Sequence, residues 1–408
     1  MSCLRDIAYA LFLPVLLLYA VFSRLKGHQP RKGLGGRLGY GPQLEHNSKR
    51  ILLHAVSVGE VNAIKKLCTE LLQQDYDVVI CVTTDTGITR ANELFAKTCT
   101  VTRYPFDFSC AVRRFLNRIQ PTIVGLVELE VWPNFVADCC TRNIPIVILN
   151  GRLSERSYKR YKLARPFLKS TFSKLTAIGM QNETYANRVR VLGARNVSVK
   201  GTMKWDNATI TKCIDGDQEL ATALQIDSNR PLVVGGSTTP EEHAILKDCV
   251  PNGVQLLCAP RRPEWFDDAE KTFTPCNRRT SDQRFETDYF LLDTIGELDK
   301  AYSLANIVII GRSFAPLHGS DPTVSIALGK PTIIGQHASD FEDMVQVLVK
   351  GGGLLQCTTK DLQSTLQQLL DDQQLRDSLR ENGRAIITEH QGATVRYGEL
   401  IMEHTPDA

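Results

Sequence analysis

The segment Ile51-Leu-Leu-His-Ala-Val-Ser-Val-Gly-Glu60 decides the fold of this chain. Residues 51–56 form an apolar run rich in branched side chains, which is typical of a buried parallel strand. Ser57-Val58-Gly59 then predicts a tight turn, and apolar residues recur at helical spacing from Glu60 to Leu72. The pattern predicts a strand that leads directly into a helix. It places Glu60 at the helix N-terminus and at the carboxyl edge of a parallel sheet, where open α/β sheets bind ligands.

Two interpretations of Glu60 follow from this position. A carboxylate in the first turn complements the helix dipole, which stabilises a helix by ~0.3–1 kcal/mol. A carboxylate at the ligand-binding edge of a sheet can also act on a substrate. The position alone favours neither interpretation, so the rest of the chain has to decide between them.

The composition indicates a globular protein with two domains. The chain has 408 residues, which is longer than a domain with a single hydrophobic core usually is. It is 43% hydrophobic and 23% charged, as globular proteins are. A net charge of +3 gives no indication of a nucleic-acid partner, and we expect none. Twelve cysteines occur without a Cys-x-x-Cys pair, which predicts reduced thiols in the cytosol, no disulfide framework and no metal site.

An apolar segment from Ile7 to Phe22 precedes a basic, glycine-rich connector. It is shorter than the ~20 residues of a full helical span. A signal peptide is the alternative, but the only basic residue before it, Arg5, is followed by Asp6, and no small-residue cleavage site follows. The basic residues behind the segment favour the cytoplasmic side for the main body. We therefore expect residues 1–23 to be an uncleaved membrane anchor that spans the bilayer or lies in its interface.

Strand and helix patterns alternate along the rest of the chain. Short apolar runs that predict strands occur at residues 78–82, 122–127, 145–149, 175–179, 197–199, 232–235, 255–258, 289–292, 307–310 and 331–334. Alternation of this kind favours parallel, doubly wound sheets. The pattern becomes polar near residues 205–230 and then restarts. We expect an α/β fold with two Rossmann-like domains, residues 24–206 and residues 207–408.

Polar residues follow the predicted strands of the first half and should meet at one sheet edge. They are Ser57, Glu60, Thr84, Glu128, Glu130 and Asn150. Glu128 and Glu130 lie two residues apart at a strand end, so their side chains should point the same way and raise the pKa of one of them. Alternatively, either glutamate pairs with Arg152 or caps the helix that begins at Trp132.

The second half has a predicted anion site. Arg261 and Arg262 follow a strand, and helices are expected to start at Ser237 and Gly296, so guanidinium groups and backbone N–H groups could bind a phosphate together. The alternative is a solvated arginine pair, which is disfavoured because Pro260 and Pro263 fix the turn.

A basic helical stretch runs from Arg152 to Arg165 in the first half. Such a run usually forms a solvated face. Beside a membrane anchor it could also attract anionic lipid.

The sequence resembles the 3-deoxy-D-manno-octulosonic acid (Kdo) transferases, which add Kdo from CMP-Kdo to the lipid A precursor. The similar stretches run along the chain from the anchor to the C-terminal helix. They are His54-Ala-Val-Ser-Val-Gly-Glu60, Glu128-Leu-Glu-Val-Trp-Pro-Asn134, Asn150-Gly-Arg-Leu-Ser-Glu-Arg-Ser157, Gly201-Thr-Met-Lys-Trp-Asp206, Pro260-Arg-Arg-Pro-Glu264, Asp293-Thr-Ile-Gly-Glu-Leu298 and Gly392-Ala-Thr394.

The resemblance implies a GT-B fold, in which two Rossmann-like domains face a cleft, with an N-terminal membrane-anchor helix at the inner membrane. It implies an acceptor domain over residues 24–206, a nucleotide-sugar donor domain over residues 207–408, and inverting transfer without a metal or cofactor. Glu60 matches the general base, and Glu130 and Lys204 match residues that stabilise the transition state. The positions that match CMP contacts are Pro260, Arg261, Ile295, Gly296 and Glu297, and the acceptor side is represented by Ser57, Gly59 and Arg152.

The second half departs from the family pattern in four places. Thr239 and Arg262 each replace a histidine, Trp265 replaces an arginine, and Val324 replaces the glutamate expected to hold the nucleotide ribose. Asp321, three residues earlier, is the candidate that could take over that role. These departures leave two alternatives open. One is another GT-B enzyme that uses a different nucleotide sugar, such as a UDP-sugar transferase or epimerase, and the other is a non-catalytic, membrane-anchored sugar-nucleotide-binding protein.

Overall fold

The computed structural model describes Asp6, Tyr9 and residues 33–406. The predicted anchor, residues 1–23, therefore lies outside the described residues, apart from Asp6 and Tyr9. Within the described part of the chain, no helix is both long and apolar enough to cross a membrane. Asp6 Oδ1 accepts hydrogen bonds from the Ser109 backbone N–H and the Asn134 side chain, each at 3.0 Å, and the Tyr9 hydroxyl donates to Asp107 at 3.0 Å.

The chain divides into two compact units, Met1–Asp206 with Gln391–Ala408, and Asn207–His390. In the first unit, the described residues form a parallel sheet with the order β3-β2-β1-β4-β5-β6-β7. Its strands are β1 (Arg50–Ala55), β2 (Asp77–Val82), β3 (Thr100–Arg103), β4 (Ile123–Val127), β5 (Ile146–Gly151), β6 (Ala177–Met180) and β7 (Val197–Val199). The helices are α1 (Leu34–Arg37), α2 (Val58–Ala63), α3 (Lys65–Gln73), α4 (Asp85–Phe95), α5 (Ser109–Ile119), α6 (Pro133–Thr141), α7 (Glu155–Leu163), α8 (Arg165–Phe172) and α9 (Glu183–Leu192), followed by a 3₁₀ turn over Met203–Asn207.

The second unit repeats this plan. Its described strands form a parallel sheet with the order β10-β11-β9-β8-β12-β13-β14. They are β8 (Leu232–Thr238), β9 (Gln255–Pro260), β10 (Asn277–Arg278), β11 (Tyr289–Leu291), β12 (Ile307–Ile310), β13 (Thr332–Ile334) and β14 (Leu355–Gln356). The helices are α10 (Asp217–Leu224), α11 (Pro240–Cys249), α12 (Phe266–Phe273), α13 (Leu298–Leu304), α14 (Thr323–Ala327), α15 (Glu342–Lys350), α16 (Leu362–Asp371) and α17 (Gln373–His390).

The last helix, α18 (Ala393–Met402), returns to the first unit, whereas the sequence analysis assigned residues 207–408 entirely to the second. The fully buried Tyr397 ring lies against Gly179 of β6, where a side-chain Cβ would stand 2.5 Å from a ring carbon. The Tyr397 hydroxyl donates to the carbonyl of Gly201 at 2.9 Å. The Asp206 carboxylate accepts from the backbone N–H groups of Gly392 and Thr394, each at 2.6 Å, and so anchors the start of the helix.

The apolar runs became strands because they are buried on both faces. Every residue of β1 and β4 is buried, and each lies between two parallel neighbours. The predicted strands all occur, with ends shifted by one or two residues in most cases and by up to three at β8. The predicted helix from Glu60 to Leu72 is divided into α2 and α3 at Ile64. Three short strands, β3, β10 and β14, had not been predicted.

Candidate functional site

Glu60 bends back over the end of the strand that precedes it. Its Oε2 accepts from the Val56 backbone N–H at 2.8 Å, and its Oε1 accepts from the Ser57 hydroxyl at 3.0 Å. Ser57 is the N-cap of α2, and its Oγ accepts in turn from the Glu60 backbone N–H at 3.4 Å. The spacing of serine and glutamate resembles a capping box, so Glu60 does help to begin the helix. The same hydrogen bonds hold its carboxylate at the carboxyl edge of the sheet.

The surroundings of Glu60 raise its pKa to about 7. Burial is the largest cause, followed by the negative charge of Glu128, and Glu130 adds a smaller contribution. The hydrogen bonds from Val56 and Ser57 act in the opposite direction. A carboxylate whose pKa lies near neutral pH is suited to accept a proton during a reaction and to release it afterwards.

Glu128 and Glu130 lie near Glu60, but they do not belong to a regular strand with alternating side chains, as the sequence had suggested. The strand β4 ends at Val127, and Glu128 has a φ of 59°, in the left-handed region, so side chains no longer alternate from this point. The expected rise in pKa does occur at Glu130. Burial is its main cause and Glu128 adds to it, while a hydrogen bond from Trp132 Nε1, at 3.2 Å, opposes it.

Lys204 lies on the 3₁₀ turn that follows β7. This turn is tied to the end of β5, because the backbone N–H of Met203 donates to Asn150 Oδ1 at 3.1 Å. Asn150 is buried and has a φ of 55°, a conformation that asparagine tolerates better than most residues. The structure therefore connects Lys204 to the strand next to β4, at the sheet edge that carries the glutamates.

The acceptor-side candidates line the same edge. Gly59 is exposed, and a Cβ added there would meet only Ser57 Oγ, at 3.8 Å, so the backbone is open to a large ligand. Arg152 directly follows β5, and α7 follows soon after it. In α7, burial and the charge of Glu130 raise the pKa of Tyr161, which places this basic helix close to the glutamates. Tyr158 and Tyr161 of α7 are partly buried against the core, whereas its basic side chains are exposed, as a solvated or ligand-binding face requires.

The donor-side candidates follow strands of the second sheet. Pro260 ends β9, and the Arg261 backbone N–H donates to Thr238 at the end of β8, at 3.0 Å. Arg262 turns away, because its guanidinium pairs with Glu264 at 3.2 Å and lies 5.1 Å from the centre of the Trp265 ring. The predicted arginine pair is thus one solvated residue and one residue at the sheet edge.

The predicted helix starts at Ser237 and Gly296 are displaced. Ser237 belongs to β8 with a φ of 57°, and α11 begins at Pro240 with Thr239 as its N-cap, because Thr239 and Glu242 form a capping box. Gly296 has a φ of 98° and precedes α13, which begins at Leu298.

Three of the donor-side candidates follow β11 and differ in their surroundings: Ile295, Gly296 and Glu297. Ile295 is 68% exposed, and the space around a Cβ built on Gly296 is open. Glu297 accepts from the Thr294 hydroxyl at 2.7 Å and pairs with Arg279 and Lys300. Burial tends to raise the pKa of Glu297, but these three partners lower it overall, so the carboxylate stays ionised.

Asp321 and Val324 lie in the loop and short helix after β12. Asp321 Oδ1 accepts from the Thr323 backbone N–H at 2.9 Å and from its hydroxyl at 2.7 Å, one residue before Pro322, which holds the N-cap position of α14. Val324 lies one turn further on and is half-buried.

The sequence analysis missed two further residues near the donor-side candidates. The Glu242 carboxylate accepts from the backbone N–H groups of Arg312, Ser313 and Phe314 at 2.8–3.0 Å, so it holds the loop after β12. Arg312 lies close enough to Arg261 to help lower its pKa. An acid three residues after a threonine N-cap could have revealed Glu242, but nothing in the sequence marks Arg312.

Comparison with known proteins identifies the same relationship along most of the chain. Residues 32–207 match the family model described as 3-deoxy-D-manno-octulosonic-acid transferase (kdotransferase). The chain is 30% identical over 412 residues to the 3-deoxy-D-manno-octulosonic acid transferase of Haemophilus influenzae, covering 96% of each chain. It is 29% identical over 371 residues to the enzyme of the same name from Bordetella pertussis, covering 85% of each.

Solved structures share the fold at low identity. HepE from Anabaena, in complex with UDP and glucose, superposes with a TM-score of 0.57 at 14% identity, over 86% of this chain and 98% of that one. A putative UDP-N-acetylglucosamine 2-epimerase from Listeria monocytogenes gives 0.58 at 11% identity, over 87% and 96%. These similarities establish a GT-B-like fold with two parallel sheets, and the full-length relatives establish the enzyme class. The chain belongs to the 3-deoxy-D-manno-octulosonic acid (Kdo) transferase family and is a glycosyltransferase.

Proposed function

We propose that the protein transfers Kdo from CMP-Kdo to a phosphorylated lipid A precursor, with inversion at the anomeric carbon and without a metal ion. The observation that carries this proposal is the carboxylate of Glu60, fixed by Val56 and Ser57 at the sheet edge with a pKa of about 7. The family membership supports Kdo as the transferred sugar, and the geometry around Glu60 supports its role as the base.

Glu60 accepts the proton of the acceptor hydroxyl while that oxygen attacks the anomeric carbon of Kdo. The bond from that carbon to the phosphate of CMP breaks on the opposite side, so a single displacement inverts the centre. General-base help of this kind contributes ~10²–10⁴-fold in rate. The charges of Glu128 and Glu130 favour proton uptake by Glu60, because they raise its pKa.

Two kinds of charge develop during the transfer. The departing CMP gains negative charge, which Arg261 offsets as a fixed cation, while Lys204 keeps the role of stabilising the transition state that the family resemblance implies. The anomeric centre gains positive charge in glycosyl transfer, and we propose that the carboxylate of Glu130 stabilises it. Cationic side chains can therefore take the part that a metal ion plays in other enzymes.

The acceptor is proposed to bind along α7. This helix carries Arg156, Lys159, Arg160 and Lys162 on a surface without buried residues, and Tyr161 places it near Glu130. A phosphorylated glycolipid would bring anionic groups to these side chains. We propose that the enzyme works at the cytoplasmic face of the inner membrane, held there by residues 1–23.

The deciding experiment incubates the full-length protein, in its membrane fraction, with CMP-Kdo and a tetra-acylated lipid A precursor. Mass spectrometry of the extracted lipid should show the addition of Kdo, in the presence of EDTA as well as without it. Glu60→Gln is the matched control, and UDP-sugars are the alternative donors. Product formed from a UDP-sugar but not from CMP-Kdo, or the same yield from Glu60→Gln, would refute the proposal.

A further inference from the structure

Two arginines lie on either side of the end of β8 in the second unit. Arg261 follows β9 and Arg312 follows β12, and both strands pair with β8. The Arg261 backbone N–H donates to Thr238 at 3.0 Å, and the Gly311 backbone N–H donates to Gly236 at 2.8 Å. From β8 the chain continues to β9 on one side of the sheet and later returns to β12 on the other side. Ligands of open α/β sheets bind at the point where the strand order reverses in this way.

The backbone at this place is held in an unfavourable conformation. Arg312 has a φ of 59° and Ser237 a φ of 57°, both in the left-handed region that non-glycine residues seldom adopt. A Cβ on Gly311 would lie 2.5 Å from the Ser237 carbonyl oxygen, so the two strand ends are pressed together. Residues kept in such conformations cluster at ligand-binding sites. The Arg312 side chain is further fixed by a hydrogen bond to the Leu317 carbonyl at 2.7 Å.

An anion at this place would bind the guanidinium groups of Arg261 and Arg312, because the backbone N–H groups of the loop after β12 are already occupied. Glu242 already occupies the N–H groups of Arg312, Ser313 and Phe314. Among the ion pairs of the described residues, neither Arg261 nor Arg312 has a carboxylate within 4.0 Å. Partial burial and the charge of Arg312 both lower the pKa of Arg261, so the two cationic side chains lie near each other.

The loop after β12 carries a hydroxyl group, that of Ser320, which could form a hydrogen bond with a ligand. Ser320 is only 6% exposed, and its hydroxyl makes no hydrogen bond within the described structure. The Gly319 backbone N–H donates to the Arg312 carbonyl at 2.8 Å, so the loop closes on itself and keeps Ser320 next to the arginine.

We propose that Arg261 and Arg312 form a two-arginine clamp for a donor that carries two neighbouring anionic groups, with Arg261 on the nucleotide phosphate and Arg312 on the second anion. The second anion rests on the proposed function: in a CMP ester of a 2-keto acid, the phosphate oxygen and the carboxylate are bonded to the same carbon. Two neighbouring phosphates, as in a nucleoside diphosphate sugar, would present the same chemistry.

The test uses calorimetric titration of the full-length protein with CMP and with CDP, whose second phosphate stands in for the second anion. The parent protein should bind CDP more tightly than CMP. Arg312→Gly should weaken CDP binding on the order of tenfold or more and change CMP binding by less than about threefold. Arg312→Lys should keep part of the preference. Equal losses for both nucleotides, or no loss for either, would overturn the clamp.

Two controls make the result specific. Arg262→Ala removes a charge from the adjacent position, where the guanidinium already pairs with Glu264, and should change neither titration. Arg312→Gly removes the guanidinium at a positive φ that glycine adopts readily, so its melting temperature should not fall.

The source of the second anion is decided by kinetics. If it is the Kdo carboxylate, Arg312→Gly should raise the KM for CMP-Kdo on the order of tenfold with little change in kcat. An unchanged KM, with CDP binding still weakened, would assign the clamp to two phosphates. If no variant turns over CMP-Kdo, the proposed function fails, while the CMP and CDP titrations still decide the clamp.

Discussion

The backbone N–H of Val56 donates to the carboxylate of Glu60 at 2.8 Å, so the acid in the first turn of α2 is bound to the residue that directly follows β1. We expect Glu60→Gln to lower kcat on the order of 10²-fold or more, because glutamine cannot accept the proton of the acceptor. CMP affinity should change little, since the CMP-binding candidates lie in the other unit. Steady-state kinetics and calorimetry check both statements, and an unaltered kcat would leave Glu60 with its capping role alone.

The pH dependence of the reaction should follow the same carboxyl group. Glu60 must be ionised to act as a base, and its pKa is about 7. We therefore expect kcat/KM to fall about tenfold per pH unit below pH 7 and to level off above it. Measurements between pH 5 and pH 9 will show this. The break should shift to lower pH in Glu128→Gln, which removes a neighbouring negative charge, and an unmoved break would assign the titration to another group.

Stability should depend on pH in the opposite sense. The pKa of Glu60 is raised from 4.5 to about 7 in the folded state, so its contribution to stability is complete below about pH 4.5 and is lost as the pH rises through 7. Glu60→Gln lacks this loss. Relative to the parent, its free energy of unfolding should therefore improve by on the order of 2–3 kcal/mol between pH 5 and pH 8. Denaturant titrations at the two pH values measure the difference, and a constant gap would contradict the raised pKa.

Asn150 should control the position of Lys204. Asn150→Ala leaves the buried N–H of Met203 without its acceptor, which costs about 1–3 kcal/mol. We expect kcat to fall to the level of Lys204→Ala, because the turn that carries the lysine is no longer fixed. Asn150→Asp keeps an acceptor oxygen and should retain more activity. If Asn150→Ala turns over normally while Lys204→Ala does not, the turn is positioned by other contacts.

Asp321 should contribute to donor binding through its charge. Asp321→Ala also leaves the Thr323 backbone N–H without this acceptor, so Asp321→Asn is the better variant because its side-chain oxygen can still accept that hydrogen bond. We expect both variants to bind CMP more weakly, and Val324→Glu to restore part of the loss. Calorimetric titration decides this. If Asp321→Asn binds CMP as tightly as the parent, this loop does not hold the ribose.

The central parts of both sheets could be predicted because burial on both faces leaves a clear pattern in the sequence. The run from Ile51 to Val56 has no polar residue other than His54, which lies buried in the core. The start of the following helix was predicted two residues late, at Glu60, because Ser57-Val58-Gly59 suggested a turn, whereas Ser57 is the N-cap and α2 begins at Val58. The three missed strands lie at or near sheet edges and have two to four residues, too short for a periodic pattern.

The finer geometry of the site depended on tertiary contacts that no local pattern records. The left-handed conformation of Glu128 sets its relation to Glu130, and the sequence suggested regular strand alternation instead. Arg312 shows no signal along the chain, since its importance arises from its neighbour Arg261 on another strand end. The return of α18 depends on Gly179, whose missing side chain admits Tyr397.

That return has a consequence for the order in which the protein forms during translation. Residues 207–390 are continuous, so the whole of the second unit is synthesised before α18. The first unit, although begun earlier, keeps the space beside Gly179 uncovered until Tyr397 arrives. We expect a chain that ends at residue 390 to contain the complete second unit, while its glutamate-bearing unit lacks part of its core.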